Sequence, residues 1–129
     1  MKNLKELLKD INITKKELSE DAGKYIKYFN FETKKILAEE KIGLDILVDD
    51  DNHVVRNAVA KQGFGLDVLI NDEDWRVRYA VAKMGCGLDQ LANDEDEAVK
   101  ELALKMIEEQ KEELLKGLDF KDKSVFLGL

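Results

Sequence analysis

The sequence contains no proline, one cysteine and one histidine in 129 residues. Because proline breaks helix interiors, its absence favours helices joined by tight turns. A single cysteine cannot form an internal disulfide and favours a reducing compartment, so we expect a cytoplasmic protein. A lone histidine, His53, cannot build a zinc site or a catalytic triad by itself. We therefore expect no metal site, no cofactor and no catalytic residue.

Long apolar runs are also missing from the sequence. No stretch of 18 apolar residues is present, so we expect no membrane span. The first residues lead into an amphipathic segment rather than the apolar core of a signal peptide. Apolar residues still make up 44% of the chain, which is enough for one domain with a core.

Positive charge is scarce in the middle of the chain. The formal net charge is −7, and residues 43–108 carry 7 basic and 15 acidic side chains. An acidic protein repels phosphate backbones at long range, which disfavours nucleic acid as a partner.

What the sequence does contain is a repeat of 22 residues. Three near copies follow one another and a degenerate copy precedes them: Gly43–Phe64, Gly65–Cys86, Gly87–Glu108 and, before these, Asp21–Ile42. A fixed period of this size is typical of stacked repeats, since one unit cannot bury its apolar faces alone. We predict an all-α fold with an N-terminal helical cap over 1–20, four repeats over 21–108, and a helical extension with an apolar tail over 109–129.

Each repeat predicts one long helix and one short helix. Residues suited to capping a helix N-terminus recur in one column, at Asn30, Asn52, Asp74 and Asp96. A long helix should begin one residue after each of them, and Gly63 and Gly85 stand where such a helix would end. Residues 44–48 and their copies are long enough for only one or two turns of α or 3₁₀ helix.

The apolar faces follow from helical spacing. On the long helices we expect core positions at Val55, Ala58, Val59 and Gln62, at Val77, Ala80, Val81 and Met84, at Val99, Leu102, Ala103 and Met106, and at Thr33, Ile36, Leu37 and Glu40. At the C-terminal end we expect closure of the core by Leu102, Met106, Leu114, Leu115 and Leu118. Cys86 shares a column with Ile42 and Phe64, which predicts a buried and inert thiol.

The segment Asp72–Ala82, with Asp50–Ala60 one repeat earlier, resembles the variant leucine-rich repeat and HEAT-like families. The resemblance implies a right-handed solenoid of alternating helices that binds other macromolecules. It also implies that Arg56 and Arg78 pair with acids of the turns. The prolines common in the acidic turn of those families are replaced here, by Glu73 and Trp75 among others, and the cysteine cluster that holds an iron–sulfur centre in some of them is missing.

The acidic turns have a second interpretation, as calcium sites. Each turn lacks the glycine and the distal glutamate of an EF-hand loop, so we favour capping and arginine pairing.

We expect a basic and aromatic surface on the long helices to bind a protein partner. Tryptophan, tyrosine and arginine are enriched where binding energy concentrates. The candidate partner-binding residues are Trp75, Arg76, Tyr79, Arg56, Lys83 and His53. An alternative is nucleic-acid binding along the same surface.

A third interpretation uses the turns instead. Their acids, Asp50, Asp51, Asp72, Glu73, Asp94 and Glu95, would form an edge that fills a basic nucleic-acid cleft, as an inhibitor from a phage or mobile element. In every case we expect a small non-enzymatic module of bacterial or phage origin that is a monomer or weak dimer. With a protein partner we expect it to act as an adaptor or inhibitor.

Overall fold

The computed structural model describes residues 3–118, and in this part of the chain it contains ten α-helices and no strand. Their bounds in chain order are α1 (Leu4–Ile11), α2 (Lys15–Glu20), α3 (Ala22–Ile26), α4 (Phe31–Glu39), α5 (Leu44–Leu47), α6 (His53–Lys61), α7 (Leu66–Leu69), α8 (Trp75–Lys83), α9 (Leu88–Leu91) and α10 (Glu97–Lys116). None of these helices has the length and apolarity needed to cross a bilayer. The expected all-α class is confirmed.

The four long helices begin where the sequence predicts. The side chains of Asn30, Asn52, Asp74 and Asp96 each accept a hydrogen bond from a backbone N–H in the first turn of α4, α6, α8 and α10. These bonds satisfy donors that have no partner inside the helix. Successive long helices therefore start 22 residues apart, at Phe31, His53, Trp75 and Glu97.

The N-terminal region forms two helices with capping boxes. Thr14 Oγ1 accepts from the backbone N–H of Glu17, while the Glu17 carboxylate accepts from the backbone N–H of Thr14. The same reciprocal pair, formed by Asn3 and Glu6, starts α1 and was not predicted.

A glycine with positive φ precedes three of the short helices. Gly43, Gly65 and Gly87 have φ of 69°, 65° and 60°. A Cβ at any of them would also overlap a side chain of the preceding repeat, from Ile26, Val48 or Ile70 respectively. Glycine is required here by backbone conformation and by close packing together.

The core lies between the long and short helices. Along the chain, α4 packs against α6, α6 against α8 and α8 against α10. The largest fully buried side chains come from both kinds of helix and from α2: Leu18, Leu37, Leu47, Leu69, Leu91, Val55, Val59, Val77, Val81 and Val99. The predicted faces therefore supply most of the core.

The last predicted core position is wrong in three of the four long helices. Met84 is 45% exposed, Glu40 is exposed and Gln62 is only half-buried. These residues are the C-caps of α8, α4 and α6, where the helix ends and its side-chain spacing no longer applies. Ala60 and Ala82 are buried in addition.

Two further burial predictions need correction. Cys86 is half-buried rather than buried, and Phe64, in the same column, is 38% exposed. Leu114 is 62% exposed and does not close the core, whereas Leu102 and Met106 pack against it. The helix α10 does continue to Lys116, just before Gly117, as predicted. The apolar tail over 124–129 lies outside the described residues.

A cation on one long helix bridges to the turn that precedes the next. The three pairs, each separated by 16 residues and each with a closest contact of 2.8 Å, are Lys34–Asp50, Arg56–Asp72 and Arg78–Asp94. We call this contact the cross-repeat bridge. The two arginine pairings confirm the expected ladder, and Lys34 extends it by one repeat.

Each arginine of a cross-repeat bridge uses three of its nitrogens. Arg56 donates from Nε and Nη2 to the two carboxylate oxygens of Asp72, at 2.8 and 3.0 Å. Its Nη1 donates to the backbone carbonyls of Asp50 and Asp51, at 2.8 and 3.0 Å. The hydrogen bond to Asp72 raises the pKa of Arg56. One guanidinium thus ties together the turn before its own helix and the turn after it.

The aspartate of the bridge also shapes its own turn. Asp72 Oδ1 accepts from the backbone N–H of Asp74 at 2.9 Å, and Asp74 Oδ1 accepts from the N–H of Arg76 at 2.9 Å. In the following repeat Asp94 accepts from the N–H of Asp96, and the hydrogen bond from Arg78 lowers the pKa of Asp94. The bridge and the N-cap are therefore consecutive links in one hydrogen-bonded chain.

We predict that Arg78→Met lowers the free energy of unfolding by about 3 kcal/mol, because it leaves the buried carboxylate of Asp94 without its charged partner. The control is Arg76→Met on the same helix. Arg76 pairs with Asp74 at the surface, so its loss should cost much less than the loss of Arg78. Urea denaturation of both variants measures the difference, and equal losses would mean that the bridge does not hold the repeats together.

We predict that Lys41→Gly stabilises the protein by about 0.5–1 kcal/mol, since a side chain with positive φ is strained. Lys41 has φ of 60°, in the column where Gly63 and Gly85 have φ of 77° and 76°. As a control, Lys35→Gly in the interior of α4 should destabilise by about 1 kcal/mol. Thermal melts decide the sign, and a loss of stability at position 41 would contradict the argument.

Candidate functional site

Three side chains form a row along the outer side of α8. Trp75, Tyr79 and Lys83 follow one another at intervals of four residues, so they lie on one helix face. The Trp75 and Tyr79 rings meet edge to face, with centroids 6.2 Å apart and planes at 86°. Lys83 Nζ lies 5.7 Å from the centroid of the Tyr79 ring. Trp75 is 42% exposed, so this row presents an aromatic surface to solvent.

This row lines a groove of about 380 Å³ whose other residues come from α6, α8 and the first turn of α10. The groove, which we call the ridge groove, is lined by Asn57, Lys61, Trp75, Arg76, Tyr79, Ala80, Lys83 and Ala98. Its lining has three cationic side chains and no acidic one. In a chain of net charge −7, this is a local reversal of the overall charge.

The cations of the ridge groove differ in how they are held. Arg76 donates from Nε and Nη2 to the carboxylate of Asp74, at 3.0 and 2.8 Å. This hydrogen bonding lowers the pKa of Asp74 to about 2. Lys61 and Lys83 are exposed and form no ion pair with any residue between 3 and 118. Their charges are therefore available to a ligand.

His53 lies beside the groove rather than in its lining. Its Nδ1 is 3.8 Å from Asp74 Oδ2, and its side chain is partly exposed. Asp74 thus contacts both His53 on α6 and Arg76 on α8, beside the groove.

Asn57 has a buried polar atom without a hydrogen bond. Within residues 3–118 its Oδ1 has no partner, and its amide nitrogen donates no hydrogen bond. Asn57 and Lys61 also line a second groove, between α4 and α6, together with Lys35 and Glu39. In that second groove Lys35 is paired with Glu39, at 3.7 Å.

Four of the six predicted partner-binding residues line the ridge groove, namely Trp75, Arg76, Tyr79 and Lys83. Arg56 is a correction, because it is buried and its donors are used in the cross-repeat bridge. Lys61 and Asn57 also line the groove and are not among those six residues. Lys61 lies 22 residues before Lys83, so the repeat alone places the two lysines at equivalent positions.

The acidic edge is less uniform than expected. Its aspartates at the bridge position, Asp50, Asp72 and Asp94, are paired with Lys34, Arg56 and Arg78. Asp51, Glu73 and Glu95 are exposed, and the side chain of Glu73 is 90% exposed. Half of the six charges are therefore used inside the fold, and the edge is not a row of free carboxylates. Within residues 3–118 no group of His, Cys, Asp and Glu side chains is arranged to hold a metal ion.

The chain was compared with protein families, curated proteins and solved structures. No family model, no curated protein and no solved structure matches the chain.

Proposed function

We propose that this protein is a non-enzymatic module that binds an acidic segment of a protein partner in the ridge groove, as an adaptor or inhibitor. The observation that carries the proposal is the groove lining, with three cations, two aromatic rings and no acid in an acidic chain. Charge complementarity favours a partner segment that is acidic. The groove has no carboxylate, thiol or imidazole in its lining, so we propose binding there rather than catalysis.

The proposed architecture explains how the groove arises. We propose a right-handed solenoid of 22-residue units, related to HEAT-like and variant leucine-rich repeats, in a cytoplasmic protein. Such arrays place equivalent helices side by side and expose a surface that no single unit forms. The residues on its two walls, Asn57 and Lys61 on α6 and Tyr79 and Lys83 on α8, occupy equivalent positions in successive repeats.

The aromatic wall has the properties of an energetic centre. Trp75 and Tyr79 bury large areas at low entropic cost when a partner covers them, and Arg76 adds a charged donor held by Asp74. Lys61 and Lys83 extend the contact to carboxylates. A protein segment that presents acidic and apolar residues on the same side would match both features.

Nucleic acid is the second candidate, and one observation favours it. Lys61, Lys83 and Lys105 occupy one column on successive helices and present a row of positive charge. Lys105, however, lies 4.0 Å from Glu109, and the overall charge opposes a phosphate backbone. Gel shifts with DNA and RNA at low salt separate the two candidates, since a phosphate-binding surface must lose affinity steeply as salt rises.

We predict that Trp75→Ala weakens partner binding by about 2 kcal/mol, or about 30-fold, and lowers stability by less than about 1 kcal/mol. The probe is a peptide selected by the wild-type protein from a random library displayed on phage. We expect the selected peptides to be acidic, with an apolar residue among the acids. Fluorescence anisotropy gives the affinity and a thermal melt gives the stability.

The matched control is Phe31→Ala, which removes the aromatic residue in the same column two repeats earlier, outside the ridge groove. It should leave peptide affinity unchanged. A Trp75→Ala variant that melts much earlier but binds equally well per folded molecule would make Trp75 a structural residue. A library that yields no acidic peptide would refute the proposed function.

A further inference from the structure

We propose that Asn57 and Lys61 together form a carboxylate clamp, which binds one acidic side chain of an extended segment in the partner. This inference rests on the proposed function, because it assigns chemistry to the same groove. It adds a specificity-determining residue, Asn57, that the charge pattern alone does not indicate.

The amide of Asn57 does not contribute to the described fold. Its Oδ1 is buried without a hydrogen bond to any residue in 3–118, and a buried unsatisfied acceptor is unfavourable to folding. Asn57 also lies in the interior of α6, where asparagine is a poor helix former. It neither caps a helix nor takes part in a cross-repeat bridge. An amide in this position has no structural use that the described residues reveal.

The amide of Asn57 lies next to an exposed lysine. Asn57 and Lys61 are four residues apart on α6, so their side chains are neighbours on one face of the helix. Both line the ridge groove and the second groove. A segment that crosses α6 from one groove to the other therefore passes over both of them.

Both side chains are hydrogen-bond donors that suit a carboxylate. Lys61 brings a positive charge with no ion-pair partner in residues 3–118, and the amide nitrogen of Asn57 brings donors with no acceptor there. An ammonium and an amide N–H on adjacent turns match the two oxygens of one carboxylate. Hydrogen bonds to an ionised acceptor are the stronger ones, so a carboxylate gains more here than a neutral amide.

The spacing of the second cation indicates an extended segment. Lys83 occupies the position of Lys61 on the next long helix, and packed helices lie about 8–10 Å apart. Side chains on one side of an extended chain recur about every 7 Å. Two acids separated by one residue lie on the same side of an extended segment and would reach Lys61 and Lys83.

The test uses the peptide selected by the wild-type protein and its variants in which each acid in turn becomes the corresponding amide. Affinities of wild-type protein and of Asn57→Ala for every peptide form double-mutant cycles. We expect Asn57→Ala to lower the affinity for the acidic peptide by about tenfold. For one amide variant of the peptide, Asn57→Ala should cause no further loss, because the partner of Asn57 has already been removed.

Stability should change in the opposite direction. Asn57→Ala removes the buried unsatisfied oxygen and introduces a better helix former, so its melting temperature should rise. Asn57→Gln keeps an amide donor and should bind more tightly than Asn57→Ala. The charge control is Lys100→Ala, an exposed lysine outside both grooves, which should leave affinity unchanged.

The outcomes are distinct. A stabilised Asn57→Ala protein that binds the acidic peptide as well as the wild type would overturn the clamp and leave the proposed function standing. Additive losses in every cycle would also overturn it, because they would show that Asn57 contacts none of the acids. If Trp75→Ala has no effect either, or if no peptide is selected, the proposed function fails and the clamp fails with it.

Discussion

The cross-repeat bridge is the interaction on which the rest of the described structure depends. Arg56 and Arg78 each reach backward to the turn of their own repeat and forward to an aspartate of the next. That aspartate holds its turn through the N–H two residues on, and the residue at that position caps the next long helix. Helix start, turn shape and spacing between helices are thus set by one chain of charged hydrogen bonds. Removing one charge leaves the other buried, which is why such pairs are costly to break.

The sequence allowed much of this to be predicted, because the same residue types return every 22 positions. The N-caps and the arginine pairing are local chemistry, and a column of Asn and Asp before each helix is sufficient to locate them. The limits of the prediction lie where a helix ends. Met84 satisfied the helical spacing of the core face, yet it is the C-cap of α8 and is 45% exposed. Periodicity gives the direction of a side chain only while the helix continues.

The candidate groove was harder to predict, for a different reason. Trp75, Arg76, Tyr79 and Lys83 lie within one repeat, so helical spacing alone groups them. Lys61 and Asn57 come from the repeat before, and their relation to Tyr79 and Lys83 depends on how α6 packs against α8. The sequence also could not show that the Asn57 oxygen lacks a partner, since hydrogen bonding is decided by the neighbours that the fold supplies. Arg56 was assigned to the binding surface for the same reason. The sequence shows only a cation on a long helix, whereas the packing of the repeats shows that this cation is buried.

Cations of the long helices have two different roles. Arg56 and Arg78 are buried and neutralised by aspartates, whereas Lys61 and Lys83 are exposed and form no ion pair within residues 3–118. The exposed acids of the turns, Glu73 among them, add a negative field to the same molecule. An acidic segment would be repelled from the turns and attracted to the ridge groove, so this charge arrangement would restrict where such a segment first docks. An acidic protein can therefore be selective for an acidic partner, provided that its positive charges are gathered on one surface and its negative charges on another.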